Sequence, residues 1–272
     1  MMTRLAAGLT GLAIILPILI WGGPNGVWWL MLPFLAIGLD EYVTMAIPGV
    51  AWLERALFWV AGLAVATAVV HAPRGTATLL APVLMVALAV PMFRQSEVAK
   101  GAEQAIRLGF GLLYVPVLMA PLALIRQQPD GLALIFLLLA STWLGDTGAY
   151  FAGRAFGKTP LFPRVSPKKT REGVVGGLLL AVVGACVVKL VGNPNLSWPA
   201  VIALGVLLDI AGVVGDLAES MLKRAFGVKD SGWIMPGHGG ILDRIDSLLF
   251  SGPLLWLALQ LRPGIGAYID SP

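Results

Sequence analysis

Charged residues are scarce in this chain of 272 residues: Asp, Glu, Lys and Arg together make up 12%, while 58% of positions are hydrophobic and the mean hydropathy is +0.85. So little polar surface cannot coat a soluble globule of this length, which excludes an ordinary water-soluble domain and makes lipid the expected solvent. Cysteine is nearly absent. The single thiol, Cys186, sits in an apolar run without an intrachain partner, so no disulfide framework holds the fold and the residue reads as packing. Only two histidines occur, and neither has the Cys or second His that a zinc centre requires. Internal repeats of the transporter kind, low-complexity linkers and nucleic-acid motifs are also missing. The formal charge of +4 therefore serves membrane topology and anionic headgroups, and no nucleic-acid partner is expected.

What the chain has in abundance is apolar runs. Stretches bounded by charge, Pro and Gly fall at 5–20, 26–39, 56–71, 77–93, 106–125, 131–153, 171–191, 199–222 and 241–260. A bilayer core about 30 Å thick takes roughly 20 residues per span, so the expected fold is all-α, a polytopic integral membrane helical bundle of about nine transmembrane helices. Arg4 ahead of the first run superficially resembles a secretory signal, but no small-residue cleavage site follows, and the run is expected to be a retained span. A cytoplasmic N-terminus puts 15 of the 19 Lys and Arg residues inside and leaves Arg74, Arg126, Lys189 and Arg262 outside. Charge divides the single membrane domain: residues 1–140 are sparsely charged N-terminal spans, whereas 141–272 hold nearly every intramembrane carboxylate and the longest basic loop.

An ionisable side chain within a span costs about 2.5–3.5 kcal/mol even on the lenient insertion scale, so each is a functional candidate. In the first cluster, S-T-W-L-G-D-T-G-A-Y at 141–150, the four-residue spacing of Thr142, Asp146 and Tyr150 predicts one helical face. A basic loop follows, with Arg154, Lys158, Lys168, Lys169 and Arg171. It reads either as topology and headgroup attraction or, beside a buried Asp, as phosphate binding. The second cluster is on the eighth span, where Asp209, Asp216, Ser220 and Lys223 share a helix face. Asp209 also fits a plain helix–helix hydrogen-bonding role, while Asp216, nearer the basic end, is the better metal candidate.

The third cluster is the most specific. Lys223-Arg224 and Lys229-Asp230 precede P-G-H-G-G at 236–240, and Asp243, Arg244 and Asp246 open the ninth span. Glycine-flanked N–H groups at a helix N-terminus suit phosphate oxygens, and Asp243 and Asp246 present two carboxylates from one turn. Hard oxygen donors beside phosphate are what magnesium selects. His238, framed by glycines and carboxylates, reads as functional, whereas His71 at the opposite face reads as incidental. A transporter carrying protons or cations on Asp146 and Asp209 is the rival reading, but it leaves the glycine-rich loop unexplained.

The run S-x-x-K-R-x4-K-D-x5-P-G-H-G-G-x-x-D-R-x-D at 220–246 resembles the signature of the phosphatidate cytidylyltransferase family. It departs mildly at Met235, where the family favours Leu, Ile or Phe. The segments at 146–150 and 166–170 are similar to family segments too, so the resemblance covers roughly residues 141–260. It implies an enzyme, a magnesium-dependent nucleotidyltransferase that joins CTP to phosphatidic acid, yielding CDP-diacylglycerol and pyrophosphate at the cytoplasmic side of the cell's inner (plasma) membrane. Another CTP-using membrane enzyme, such as a polyprenol kinase or an archaeal-type lipid cytidylyltransferase, is the nearer rival.

Under that resemblance Asp216, Asp243 and Asp246 hold Mg2+ and Asp146 joins the metal shell. Lys223 and His238 complete the catalytic set. Lys223, Arg224 and Lys229 bind the triphosphate, and Lys168 and Lys169 bind the lipid headgroup. Ser220, Asp230, Gly239, Gly240 and Arg244 complete the substrate-binding set. The partners implied are CTP, phosphatidic acid, membrane lipids and a second copy in a homodimer.

Overall fold

The computed structural model describes residues 2–192, 194–234 and 239–261. It is an all-α polytopic membrane protein. Ten α-helices occur among the described residues, with a 3-10 turn (Pro73–Gly75) leading into the fourth: α1 (Met2–Trp21), α2 (Gly26–Ala46), α3 (Trp52–His71), α4 (Thr76–Arg94), α5 (Val98–Met119), α6 (Pro121–Arg126), α7 (Gly131–Phe156), α8 (Arg171–Gly192), α9 (Trp198–Ala225) and α10 (Leu242–Gln260). Among the described residues seven helical segments have the length and apolarity to cross a membrane: α2, α3, Pro73–Arg94, Val98–Arg126, α7, α8 and α9. Large apolar side chains lie open on the surface, among them Phe93, Val98, Leu190 and Val191, while Glu41, Glu54, Asp209 and Glu219 are buried. That inversion is the signature of a chain solvated by lipid.

Helix ends differ from the sequence expectation in instructive ways. The second apolar run was expected to stop at residue 39, yet α2 continues through Asp40 and Glu41 to Ala46. Both carboxylates are satisfied inside the protein, Asp40 by a two-pronged pair with Arg55 and Glu41 by backbone N–H donors. The single run at 106–125 divides into α5 and α6, since Pro121 cannot continue the hydrogen-bond ladder and sits where a new helix can start. The basic loop after α7 contains an antiparallel hairpin, β1 (Pro160–Phe162) with β2 (Ser166–Thr170), pairing Pro160 with Thr170 and Phe162 with Ser166. Thr170 then caps α8 by accepting from the Gly173 N–H at 3.1 Å.

Residue contacts divide the chain into two units, Met1–Ala123 with Ala225–Arg244, and Leu124–Arg224 with Ile245–Pro272. The first unit is organised around Tyr42, which is fully buried and donates its hydroxyl to the Arg107 carbonyl at 2.8 Å. Phe58, Phe110, Tyr114 and Phe226 surround its ring. Nearby, buried Glu54 accepts from Gln104 at 3.1 Å and pairs with Arg94 at 3.2 Å.

In the second unit α7 and α8 pack along their length. Close backbone approach requires the glycines at that seam: a Cβ on Gly184 would stand 3.0 Å from the Ala140 carbonyl oxygen, and one on Gly148 would stand 3.0 Å from the Gly176 carbonyl carbon. Small residues at helix interfaces are how membrane helices gain packing without a hydrophobic driving force between them.

Candidate active site

The second unit gathers most of the carboxylates named from the sequence. Helix α9 carries Asp209, Asp216, Glu219 and Lys223, α7 brings Asp146, and α10 brings Asp246. The Lys169 ammonium, on β2, lies 2.7 Å from the Asp216 carboxylate, and Ser220 donates its hydroxyl to the other Asp216 oxygen at 3.3 Å. Successive strand residues face opposite ways, so Lys168 and Lys169 are not equivalent: Lys169 reaches the carboxylate and Lys168 stays exposed. Asp146, Asp216 and Lys223 all lie within electrostatic reach of Asp246.

Beside this array a cleft of about 370 Å³ is walled by Asp146, Tyr150 and Arg154 of α7, by Lys168, Lys169 and Thr170 of β2, and by Gly173, Val174 and Val213. Its polar lining combines one carboxylate with three cations, which is the balance that a polyanionic group at a membrane surface requires. Of the face predicted for α7, Asp146 and Tyr150 line the cleft. Thr142 is buried and donates to the Leu138 carbonyl at 3.0 Å.

Asp209 lies deeper, 4% exposed, in a seat made by two glycines. A Cβ on Gly145 would collide with its carboxylate, and one on Gly177 would stand 3.3 Å from Oδ2. Among the described residues that oxygen has no hydrogen-bond partner, and the carboxylate lies within electrostatic reach of Asp146 and Lys169. One turn below the basic end of α9, fully buried Glu219 forms an ion pair with Lys223, so Lys223 is held by its own helix. Arg224 is exposed.

The first unit holds the rest. Lys229, Asp230 and Arg244 are exposed, and Gly239 adopts φ +80°, a left-handed conformation that suits glycine. Asp243 is engaged through one oxygen, which accepts from the Ser231 N–H at 2.9 Å, the Ser231 hydroxyl at 2.9 Å and the Gly240 N–H at 2.7 Å. The Ile241 and Leu242 N–H groups at the start of α10 both donate to Glu41, each at 2.9 Å. The amides that the sequence reading aimed at phosphate are thus bonded to carboxylates of the protein. His238 lies outside the described residues.

Sequence reasoning missed Glu41 and Ser231. The signal for Glu41 was available, since an acidic pair inside an apolar run is costly unless partnered; ending the span at residue 39 hid it. Among the described residues no three His, Cys, Asp or Glu side chains are grouped closely enough to hold a metal ion by themselves. What stands together is Asp216 with an ammonium on it and Asp246 within its field, hard oxygen donors that leave most of a coordination sphere to water and phosphate.

A family model described as the cytidylyltransferase family matches residues 2–262. The chain is similar to the phosphatidate cytidylyltransferase of Bacillus subtilis, with 47% identity over 131 residues, 48% of this chain and 49% of that protein. The enzyme of the same name from Brucella suis is 47% identical over 149 residues, 54% of each chain. The Thermotoga maritima protein of that name is 46% identical over 141 residues, covering 50% of this chain and 52% of its own. The chain spans about half the length of the curated relatives it matches.

Proposed function

Because this chain belongs to the cytidylyltransferase family, we propose that it catalyses the reaction its curated relatives are named for, transfer of the cytidylyl group of CTP to phosphatidic acid. A phosphate oxygen of phosphatidic acid attacks the α-phosphorus of CTP. The new P–O bond gives CDP-diacylglycerol, and the bond from the α-phosphorus to the bridging oxygen breaks, releasing pyrophosphate. Phosphatidic acid is ionised near neutral pH, so no general base is needed. The task is to neutralise and align two polyanions.

The observation that carries this reading is the Lys169–Asp216 pair at 2.7 Å beside Asp246, opening on a cleft with three cations. Lys168 and Lys169 hold the lipid phosphate at the cleft. Lys223, Arg224 and Lys229 hold the triphosphate and the departing pyrophosphate, with Ser220, Asp230, Gly239, Gly240 and Arg244 lining the nucleotide's path. Asp216 and Asp246 are the donors best suited to magnesium, with Asp243 and Asp146 as further ligands, and Mg2+ bound there would supply charge neutralisation to the phosphates. His238 is retained in the catalytic set.

The topology proposed with this function has nine spans, α1 and α10 included, a cytoplasmic N-terminus and the site on the cytoplasmic side of a bacterial plasma membrane, where CTP is available. A homodimer is proposed as the working assembly. The deciding experiment supplies purified protein with CTP, Mg2+ and phosphatidic acid in mixed micelles and measures pyrophosphate and CDP-diacylglycerol together. Release of both only when phosphatidic acid is present is expected. Equal or faster turnover with a polyprenol acceptor, or nucleotide consumption without any lipid, would overturn the assignment.

A further inference from the structure

Glu41 is an acidic residue in the C-terminal part of the apolar helix α2, 7% exposed, and no part of the reaction above uses it. Both of its oxygens are committed to one segment some two hundred positions later in sequence. Oε1 accepts from the Ile241 N–H at 2.9 Å, and Oε2 accepts from the Leu242 N–H at 2.9 Å and the Ser231 hydroxyl at 3.1 Å. These are the first amides of α10, where the helix dipole favours a negative charge. The Ser231 hydroxyl also lies 2.9 Å from Asp243; its single proton serves one carboxylate at a time, so the two acidic side chains share this one donor.

The glycines around it make the second observation. A Cβ on Gly232 would stand 2.7 Å from the Glu41 carboxyl carbon, and one on Gly240 would stand 2.5 Å from the same atom. Both positions are closed to any side chain while Glu41 is there. The segment is therefore shaped around this carboxylate: glycine at 232 and 240 to admit it, a hydroxyl at 231 that it shares with Asp243, and two amides at 241 and 242 to hold it. A charge-assisted bond from a buried carboxylate to backbone N–H is among the stronger hydrogen bonds available to a protein.

We propose that Glu41 is a positioning residue for the cytidylyl transfer, acting through Ser231, Ile241 and Leu242 to fix the segment 239–243 and with it the Asp243 carboxylate. The proposal rests on the functional reading above, and Glu41 itself touches neither substrate. Glu41→Gln is the informative change. It keeps the shape, but the amide offers one accepting oxygen where the carboxylate offered two, and its NH2 group faces N–H donors. A merely structural glutamate would lower the amount of folded protein and leave the turnover of what remains unchanged.

The test uses the full chain in mixed micelles and compares wild type, Glu41→Gln and Ser231→Ala. Amide hydrogen exchange is read on peptides covering 239–243, and initial rates are measured against CTP and against phosphatidic acid. Glu41→Gln is expected to accelerate exchange in those peptides about tenfold or more, to lower kcat roughly a hundredfold, and to leave the KM for phosphatidic acid within about a factor of two. Wild-type kcat in folded Glu41→Gln, or exchange at 239–243 unchanged by the substitution, overturns the proposal. Should Glu41→Gln yield no folded protein, Ser231→Ala carries the test: kcat lowered roughly tenfold is expected, and wild-type kcat overturns it. Wild type that turns over no CTP sinks the functional reading, whereas the exchange comparison still scores the anchoring by Glu41.

Discussion

Gly215→Ala tests whether the spacing of α9 and α10 sets the chemistry. A Cβ at this position would stand 2.5 Å from the Asp246 carbonyl oxygen and 3.2 Å from both Cβ and Cδ2 of Phe250. The nearest obstacle is backbone, so a side-chain rotation cannot relieve it. Since non-bonded heavy atoms rest at roughly 3.5 Å, α10 must withdraw from α9 by about 1 Å. Overpacking of this kind costs about 1–3 kcal/mol of stability. The withdrawal also separates Asp246 from Asp216, the residue next to the substitution, and a 1 Å misplacement of catalytic groups costs roughly a hundredfold in rate, or about 2.7 kcal/mol of barrier. The comparison variant is Gly205→Ala, also on α9, where a Cβ would stand 3.0 Å from the Val182 Cα and 3.2 Å from the Ala185 Cβ on α8. Pyrophosphate release and thermal unfolding are measured for both in the same micelles. A comparable loss of stability is expected for the pair, with the large loss of turnover confined to Gly215→Ala. Full turnover in Gly215→Ala despite its lowered stability, or equal loss in both variants, refutes the claim that this helix contact positions the carboxylates.

Asp246→Asn is expected to insert and fold yet lose CTP- and Mg2+-dependent turnover by about a hundredfold or more; near-normal rates would remove it from the catalytic set. Chelation of divalent ions should abolish activity and added Mg2+ restore it, and turnover indifferent to chelator would remove the metal from the proposal. Lys169→Met removes the ammonium from Asp216 and a phosphate ligand from the cleft, so the KM for phosphatidic acid should rise about tenfold; a rise confined to the KM for CTP would reassign the lysine to the nucleotide. Glu219→Gln removes the charge that the buried Lys223 ammonium pairs with and should lower stability by about 3–5 kcal/mol, with part of the loss recovered in the double variant Glu219→Leu, Lys223→Met.

The sequence alone determined the solvent and the class of fold, because the ratio of apolar to charged residues decides whether a chain can be coated by water. It also singled out 141–246 as the candidate site, since each carboxylate inside an apolar run has to be justified by a partner or a function, and the spacing in that stretch put cations and carboxylates on shared faces. Partnership was invisible to it. The pairing of Lys169 with Asp216 and that of Lys223 with Glu219 are set by strand alternation and helix packing that no spacing rule contains. The seat of Asp209 between Gly145 and Gly177 is likewise a matter of three helices meeting. Glu41 shows the same limit most clearly: its burial is tolerable only because two amides and a hydroxyl from a segment two hundred residues away are brought to it. The cost of a buried charge is local and can be read along a chain, but the groups that offset it are supplied by the tertiary fold.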